Sequence, residues 1–327
     1  MKRTNLILVG LVFFELIVLL FFVLSVVFPS LEVVLAGVGE DNVTVATQLQ
    51  VGNVVPEILN LTILSATPID LTANSTVNLK VEIIARDFNG EYDINLTNMT
   101  FFDNSASTFG AADDNNVHYT NSSCLINYTY GDEYEVNATC SIPIQYYANN
   151  ATWNVTVIVK DNASLTALNS TTVVVNVLLA LIMPDTLNYG EVNATAVSNQ
   201  QILNVTNGGN VPINLSLSGY AKNVGDGLAM NCTLGAVKNI SLGYERYNIS
   251  FSDSAFLGNL TAFNAANYSN LTSAPIINRF DLYQRQNDTV QYKDETNATY
   301  WRIYVPTGVA GNCTGNIVFG AVSTNGV

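Results

Sequence analysis

Residues 200–219 read QQILNVTNGGNVPINLSLSG, two runs of alternating apolar and polar side chains joined by Asn207-Gly208-Gly209-Asn210. Alternation with period two marks a strand with one face on a core. Asn-Gly and Gly-Gly pairs reach positive φ at little steric cost, so the stretch predicts a β-hairpin. In the first arm Leu203 and Val205 share the core face, opposite Ile202, Asn204 and Thr206. In the second, Ile213, Leu215 and Leu217 stand opposite Asn214, Ser216 and Ser218. Asn204 and Asn214 each begin an Asn-X-Ser/Thr sequon, which puts a glycan acceptor on the outward face of both arms.

The same pairing of strand and sequon recurs along the chain. Sequons begin at Asn42, Asn60, Asn74, Asn95, Asn98, Asn121, Asn127, Asn137, Asn150, Asn154, Asn162 and Asn169, and again at Asn193, Asn204, Asn214, Asn231, Asn239, Asn248, Asn259, Asn267, Asn270, Asn287, Asn297 and Asn312. With Ser or Thr at about one position in six, chance would place about 7 among the 42 asparagines. The excess predicts heavy N-glycosylation of an exported protein. It also answers a problem of composition: charged residues are 12% of the chain, about half the usual share, so something other than ionic groups must hydrate the surface. The net charge of −14 argues against nucleic acid or an anionic membrane surface as partner.

Lys2 and Arg3 precede a long apolar run, residues 6–28, interrupted by Glu15. Its length suits a transmembrane helix, while Val34-Leu35-Ala36 before Gly37 suits signal peptidase, so residues 1–36 read as a signal peptide or a signal anchor. A prepilin-type site at Gly10 and Glu15 is a third reading, at odds with the apolar leader. Residues 37–56 form an extended arm in which 42–51, NVTVATQLQV, alternates as a strand that could pair at home or in a neighbouring copy. Between 57 and 180 the expected strands are 61–64, 77–85, 94–102, 124–129, 135–144, 153–159 and 172–179, separated by breakers such as Asp87-Phe88-Asn89-Gly90. No helical period is sustained after Phe28, so the prediction is an all-β protein of two tandem immunoglobulin-like β-sandwiches, residues 57–180 and 181–327. The join at 177–185 holds no Gly/Ser linker, so one strand should lead straight into the next and the pair should be stiff.

The four cysteines fall two per expected domain, which favours Cys124–Cys140 and Cys232–Cys313. On the entropy model the short loop contributes about 3 kcal/mol and the long one about 4–5 kcal/mol. No C-x-x-C occurs and His118 is the lone histidine, which argues against zinc and against His-dependent nucleophilic catalysis. His118 is expected in a solvated loop beside Asp113 and Asp114. Paired-carboxylate hydrolysis has no supporting motif. The turn at 87–93 offers Asp87, Asn89 and Asp93 as oxygen ligands for Ca²⁺, set against a plain Asn-Gly turn. No organic cofactor is implied.

Residues 187–192 (LNYGEV), 205–212 (VTNGGNVP), 301–308 (WRIYVPTG) and 315–319 (GNIVF) resemble secreted immunoglobulin-like surface proteins found in many archaea. Asp87–Gly90 and Tyr146-Tyr147-Ala148 followed by Trp153 resemble their companion domain. The resemblance implies architecture and an envelope location, and it brings no catalytic residues. Three functions follow: a glycosylated structural or adhesive surface protein without catalytic activity, a filament subunit donating strand 42–51, or a carbohydrate-binding module using Tyr146, Tyr147 and Tyr300. The partners expected are envelope components or further copies of the chain, with a membrane engaged through the N-terminal segment if it is not cleaved.

Overall fold

The computed structural model describes residues 45–250, 252–253, 255–286 and 295–324. The apolar N-terminal run, Asn42 and Asn287 lie outside them. Residues 53–327 are one unit of the chain and residues 1–52 another.

The chain from Glu57 to Val174 makes eight strands whose apolar side chains alternate inward. They are β1 (Glu57–Ile63), β2 (Thr76–Arg86), β3 (Ile94–Asp103), β4 (His118–Asn121), β5 (Leu125–Asn127), β6 (Glu135–Gln145), β7 (Thr152–Asp161) and β8 (Thr166–Val174). One antiparallel sheet has the order β1-β2-β6-β5 and the other β4-β3-β7-β8. Leu79, Val81, Ile83, Val136, Ala138 and Ile142 from the first sheet meet Met99, Phe101, Trp153, Val155 and Val157 from the second in one core. Trp153 stacks on Phe101 with ring centroids 4.4 Å apart, and its indole N–H donates to Asn149 O. Cys124 and Cys140 are bridged as expected.

A second core is built on β9 (Leu181–Ile182), β10 (Gln201–Asn207), β11 (Ile213–Tyr220), β12 (Leu228–Gly235), β13 (Asn239–Ser241), β14 (Glu245–Asn248), β15 (Ser269–Asn270), β16 (Ile276–Leu282), β17 (Thr296–Ile303), β18 (Val309–Thr314) and β19 (Asn316–Ser323). Their sheets run β15-β14-β17-β10-β9, β16-β11-β19 and β13-β12-β18. The Cys232–Cys313 bridge joins β12 to β18. The described residues also contain α1 (Leu260–Ala265), which no sequence period announces; Asn259 caps it by accepting from Ala262 N.

The hairpin expected at 200–219 does not form. The arms have the predicted phase, with Leu203, Val205, Ile213, Leu215 and Leu217 buried, but they pair in different sheets: β10 with β17 and β9, β11 with β19 and β16. Residues 207–210 therefore cross from one sheet to the other. Neither glycine has positive φ. Their lack of a side chain serves close approach instead, since a Cβ on Gly209 would lie 2.1 Å from Leu178 O and one on Gly208 would lie 2.8 Å from Ile182 Cγ1. The segment that runs from β8 to β9 packs directly on this turn.

Hydrogen bonds hold it there. Gly208 N donates to Ala180 O (2.9 Å), Asn210 N to Leu178 O (3.1 Å) and Leu178 N to Asn210 Oδ1 (2.7 Å). Asn210 Nδ2 donates to Ala148 O (3.0 Å) and Asn176 O (2.9 Å). Asn207 folds the turn on itself, accepting from Gly209 N and donating to Val211 O. The join differs from the direct passage of strand into strand expected, because residues 176–180 belong to no strand; Leu178 and Ala180 take backbone partners from the turn, while Asn176 N donates to Ile69 O. Nor do residues 45–51 form the expected strand; they are exposed and unpaired in any sheet.

Two substitutions test this joint. Gly209→Ala must displace the Leu178 carbonyl, and Asn210→Ala leaves buried backbone groups without partners. Each is expected to lower the unfolding free energy by about 2–3 kcal/mol in urea titrations, against less than about 0.5 kcal/mol for Asn204→Ala on the exposed face.

Candidate functional site

Where β2 ends, the chain turns through Asp87 and a 3₁₀ turn, Glu91–Asp93, before entering β3. Gly90, at φ 117°, makes the turn possible. Asp161 closes β7 opposite Ile94, so the register of β3 and β7 brings it to the same spot. Side-chain oxygens of Asp87, Asp93 and Asp161 lie within 4.8 Å of one another. Asp87 and Asp161 are fully buried and Asp93 is half-buried. Asp87 Oδ1 accepts from Asn89 N at 2.8 Å; Asp87 Oδ2 and Asp93 Oδ2 have no hydrogen-bond partner. Asp161 accepts from Leu165 N (2.7 Å) and from Asn53 Nδ2 (2.6 Å). Burial, and after it the charges of Asp93 and Asp161, raise the Asp87 pKa above the ordinary carboxylate value.

Two of the three residues proposed for an ion from sequence, Asp87 and Asp93, meet here. Asn89 does not join them: it is exposed, and its Oδ1 accepts from Val54 N at 2.7 Å. Asp161 takes the third place. Nothing in sequence spacing signals it, because a residue 68 positions after Asp93 arrives only through strand pairing.

His118 is not in a solvated loop. It begins β4, is 1% exposed, stacks near Phe102, and has Nδ1 3.1 Å from Asp113 Oδ1. Tyr146 and Tyr147 are also buried, which corrects their reading as sugar-facing rings; Tyr147 lies under the Arg285 guanidinium, 5.5 Å from its centroid, and Tyr300 is half-buried in β17. Asn116 Nδ2 adds bonds to Tyr147 O and Arg285 O, so Tyr147 packs where the first half meets the segment at Arg285.

A cavity of about 500 Å³ is lined by Tyr189, Leu203, Met230, Glu245 and Phe319 among others. Tyr189 Oη donates to Glu245 Oε1 at 2.8 Å. Burial pushes the Glu245 pKa up to about 7, partly opposed by that hydrogen bond. Nearby, Arg302 is buried with its guanidinium on four oxygens: Tyr268 Oη and the carbonyls of Ser198, Asp253 and Ala255. It reads as a clip on the segment before α1.

No protein-family model and no curated protein matches the chain. Among solved structures it is similar to a chain of a chaperone-tip adhesin complex of CFA/I fimbriae, at 10% identity and a TM-score of 0.29 over 81% of this chain and 80% of that one. It is also similar to the Streptococcus agalactiae AgI/II polypeptide BspA C-terminal domain, at 7% identity and a TM-score of 0.22 over 81% and 99%. Escherichia coli alpha-2-macroglobulin matches at 12% identity and a TM-score of 0.24, over 81% of this chain and 22% of that one. Scores this low carry no argument about function.

Glu245 gives a measurable pH dependence. A carboxyl whose folded pKa is raised contributes stability that is complete below its unfolded value near 4.5 and is lost as pH rises through about 7. Wild type is expected to lose on the order of 3 kcal/mol more than Glu245→Gln between about pH 5 and about pH 9 in denaturant titrations.

Proposed function

We propose that the chain is an exported, N-glycosylated structural or adhesive protein of a cell surface, acting through its faces rather than through a catalytic centre. The observation that carries this reading is where the sequons fall. Of the 22 sequon asparagines among the described residues, 16 are exposed; Asn98, Asn121, Asn137 and Asn154 are half-buried, and Asn214 and Asn248 are buried. Two disulfides suit an oxidising compartment. Among the described residues no helix is long and apolar enough to cross a membrane. The strand order of the first sandwich, β1-β2-β6-β5 over β4-β3-β7-β8, supports an immunoglobulin-type reading, the sheets corresponding to strands A-B-E-D and C′-C-F-G. That reading is confined to this half. Its disulfide ties the segment before β5 to β6 and its Trp153 lies on β7, unlike the B–F bridge and strand-C tryptophan of antibody domains, and the second half follows another order.

Asn214 separates glycosylation from mere abundance of asparagine. Its Oδ1 accepts from Phe280 N and Asp281 N, so it is 4% exposed and occupied by the fold. Glycopeptide mass analysis of the native protein is expected to find sugar on most exposed sequons, Asn204 among them, and none on Asn214 or Asn248. An antibody against residues 57–327 should label intact cells. Unmodified peptides throughout, or label only after permeabilisation, would overturn the proposal.

A second reading, a filament built by strand donation, is favoured by residues 45–51. Val45, Leu49 and Val51 fall at alternate positions of the segment and are 73%, 89% and 75% exposed, the apolar row a donated strand would need. Deleting residues 42–51 is expected to abolish concentration-dependent polymers in sedimentation velocity while leaving the thermal midpoint within about 2 °C of wild type. A chain that stays monomeric with the segment intact removes this reading.

A further inference from the structure

We infer that the carboxylates of Asp87, Asp93 and Asp161 form a Ca²⁺ site that ties together the two sheets of the first sandwich and the segment at Asn53–Val54. The inference stands independently of the surface function proposed above.

The argument begins from what the fold leaves undone. A buried carboxylate oxygen without a donor is costly, and buried charges are ordinarily paired, hydrogen-bonded or bound to metal. Here two such oxygens, Asp87 Oδ2 and Asp93 Oδ2, are buried without a partner in the same cluster. Asp87 is 0% exposed. Among the described residues none of the three acids is paired with Lys, Arg or His; the nearby Arg86 pairs with Glu135 instead. Three carboxyl groups are thus gathered at a mostly buried point with no protein cation against them.

A divalent ion supplies what is missing. Oxygens bound to one Ca²⁺ at 2.3–2.6 Å cannot be farther apart than about 5 Å, and these three fall inside that span. Asp161 donates no proton and still has lone pairs beyond those used by Leu165 N and Asn53 Nδ2. The ligands are all hard oxygens, carried by a turn and a strand end and without a nitrogen or sulfur among them, which suits Ca²⁺ over the stricter octahedron of Mg²⁺ and over zinc.

The connectivity gives the ion a structural role. Asp87 leaves β2 in one sheet, while Asp93 and Asp161 flank β3 and β7 in the other. Asn53 and Val54 are held by Asp161 and by Asn89, so both anchors of this segment lie on the cluster and its turn. Cation binding would fix these loops, and with them the entry of the chain into β1.

The test uses the full-length chain stripped with chelator and titrated with CaCl₂ or MgCl₂ at constant ionic strength near neutral pH. Calorimetry is expected to show one saturable Ca²⁺ site. At about 100 times Kd the thermal midpoint should rise by roughly 5 °C or more, and hydrogen exchange at the Val54 amide should slow. Asp93→Asn and Asp161→Asn should each weaken binding by about tenfold or more. Asp87→Asn, where it folds, should melt higher than metal-free wild type and ignore Ca²⁺. Absence of a midpoint shift at about 10 mM Ca²⁺ would overturn the inference. So would equal shifts in wild type and Asp93→Asn, or a response to Mg²⁺ without one to Ca²⁺.

Discussion

The carboxamide of Asn210 holds the two halves of the fold together. Its oxygen accepts from Leu178 N and its nitrogen donates to Ala148 O and Asn176 O, so one buried side chain supplies three bonds to strand-free backbone from the first half. Such backbone would otherwise have to find water, since buried peptide groups without partners are costly. An aspartate could not donate and a leucine could do neither. Gly208 and Gly209 complete the arrangement by letting the segment come within van der Waals distance. The contact between the halves at this point is therefore a polar seam at a turn, with an apolar core in each half.

Asparagine in this chain does two opposite jobs. In the sequons it is mostly exposed. At Asn116, Asn207, Asn210, Asn214 and Asn248 it is buried and substitutes for a strand neighbour, accepting from or donating to main chain. A neutral amide has both donors and an acceptor and carries no charge to desolvate, which makes it the cheapest polar group to bury when backbone must be matched. This explains how a chain with 12% charged residues can stay polar enough inside for its irregular segments and wet enough outside.

Much of this was legible in the sequence, and the limits have identifiable causes. Period-two patterns found most strands and the inward faces of Trp153, Leu203 and Ile213, because alternation is a local consequence of the pleat. Cysteine placement gave both bridges. Partner choice was not legible: two good strands around Asn-Gly-Gly-Asn satisfy a hairpin and a crossing between sheets equally, and tertiary packing against residues 178–182 decides between them. Asn214 has the phase of an outward residue, yet the chain at Phe280–Asp281 covers it. His118 looked like loop because four residues of strand amid polar neighbours carry too little pattern.

The acidic cluster follows from the same economy. With 12 Lys and Arg against 26 Asp and Glu, cations are scarce and most acids must rely on water or amides. Asp226 shows the self-sufficient solution: backbone N–H groups of Ala221, Lys222, Asn223 and Leu228 surround it and pull its pKa down to about 2. Asp87 and Asp93 each keep an oxygen outside such a cage, at a point where both sheets end and the chain enters. Backbone donors that could have closed it are already committed, Gly90 N to Asp87 O and Asp93 N to Gly90 O. A turn whose amides are committed elsewhere, one to Asp87 Oδ1 and the rest to carbonyls, leaves Asp87 Oδ2 and Asp93 Oδ2 without a donor, an arrangement that suits a ligand with positive charge.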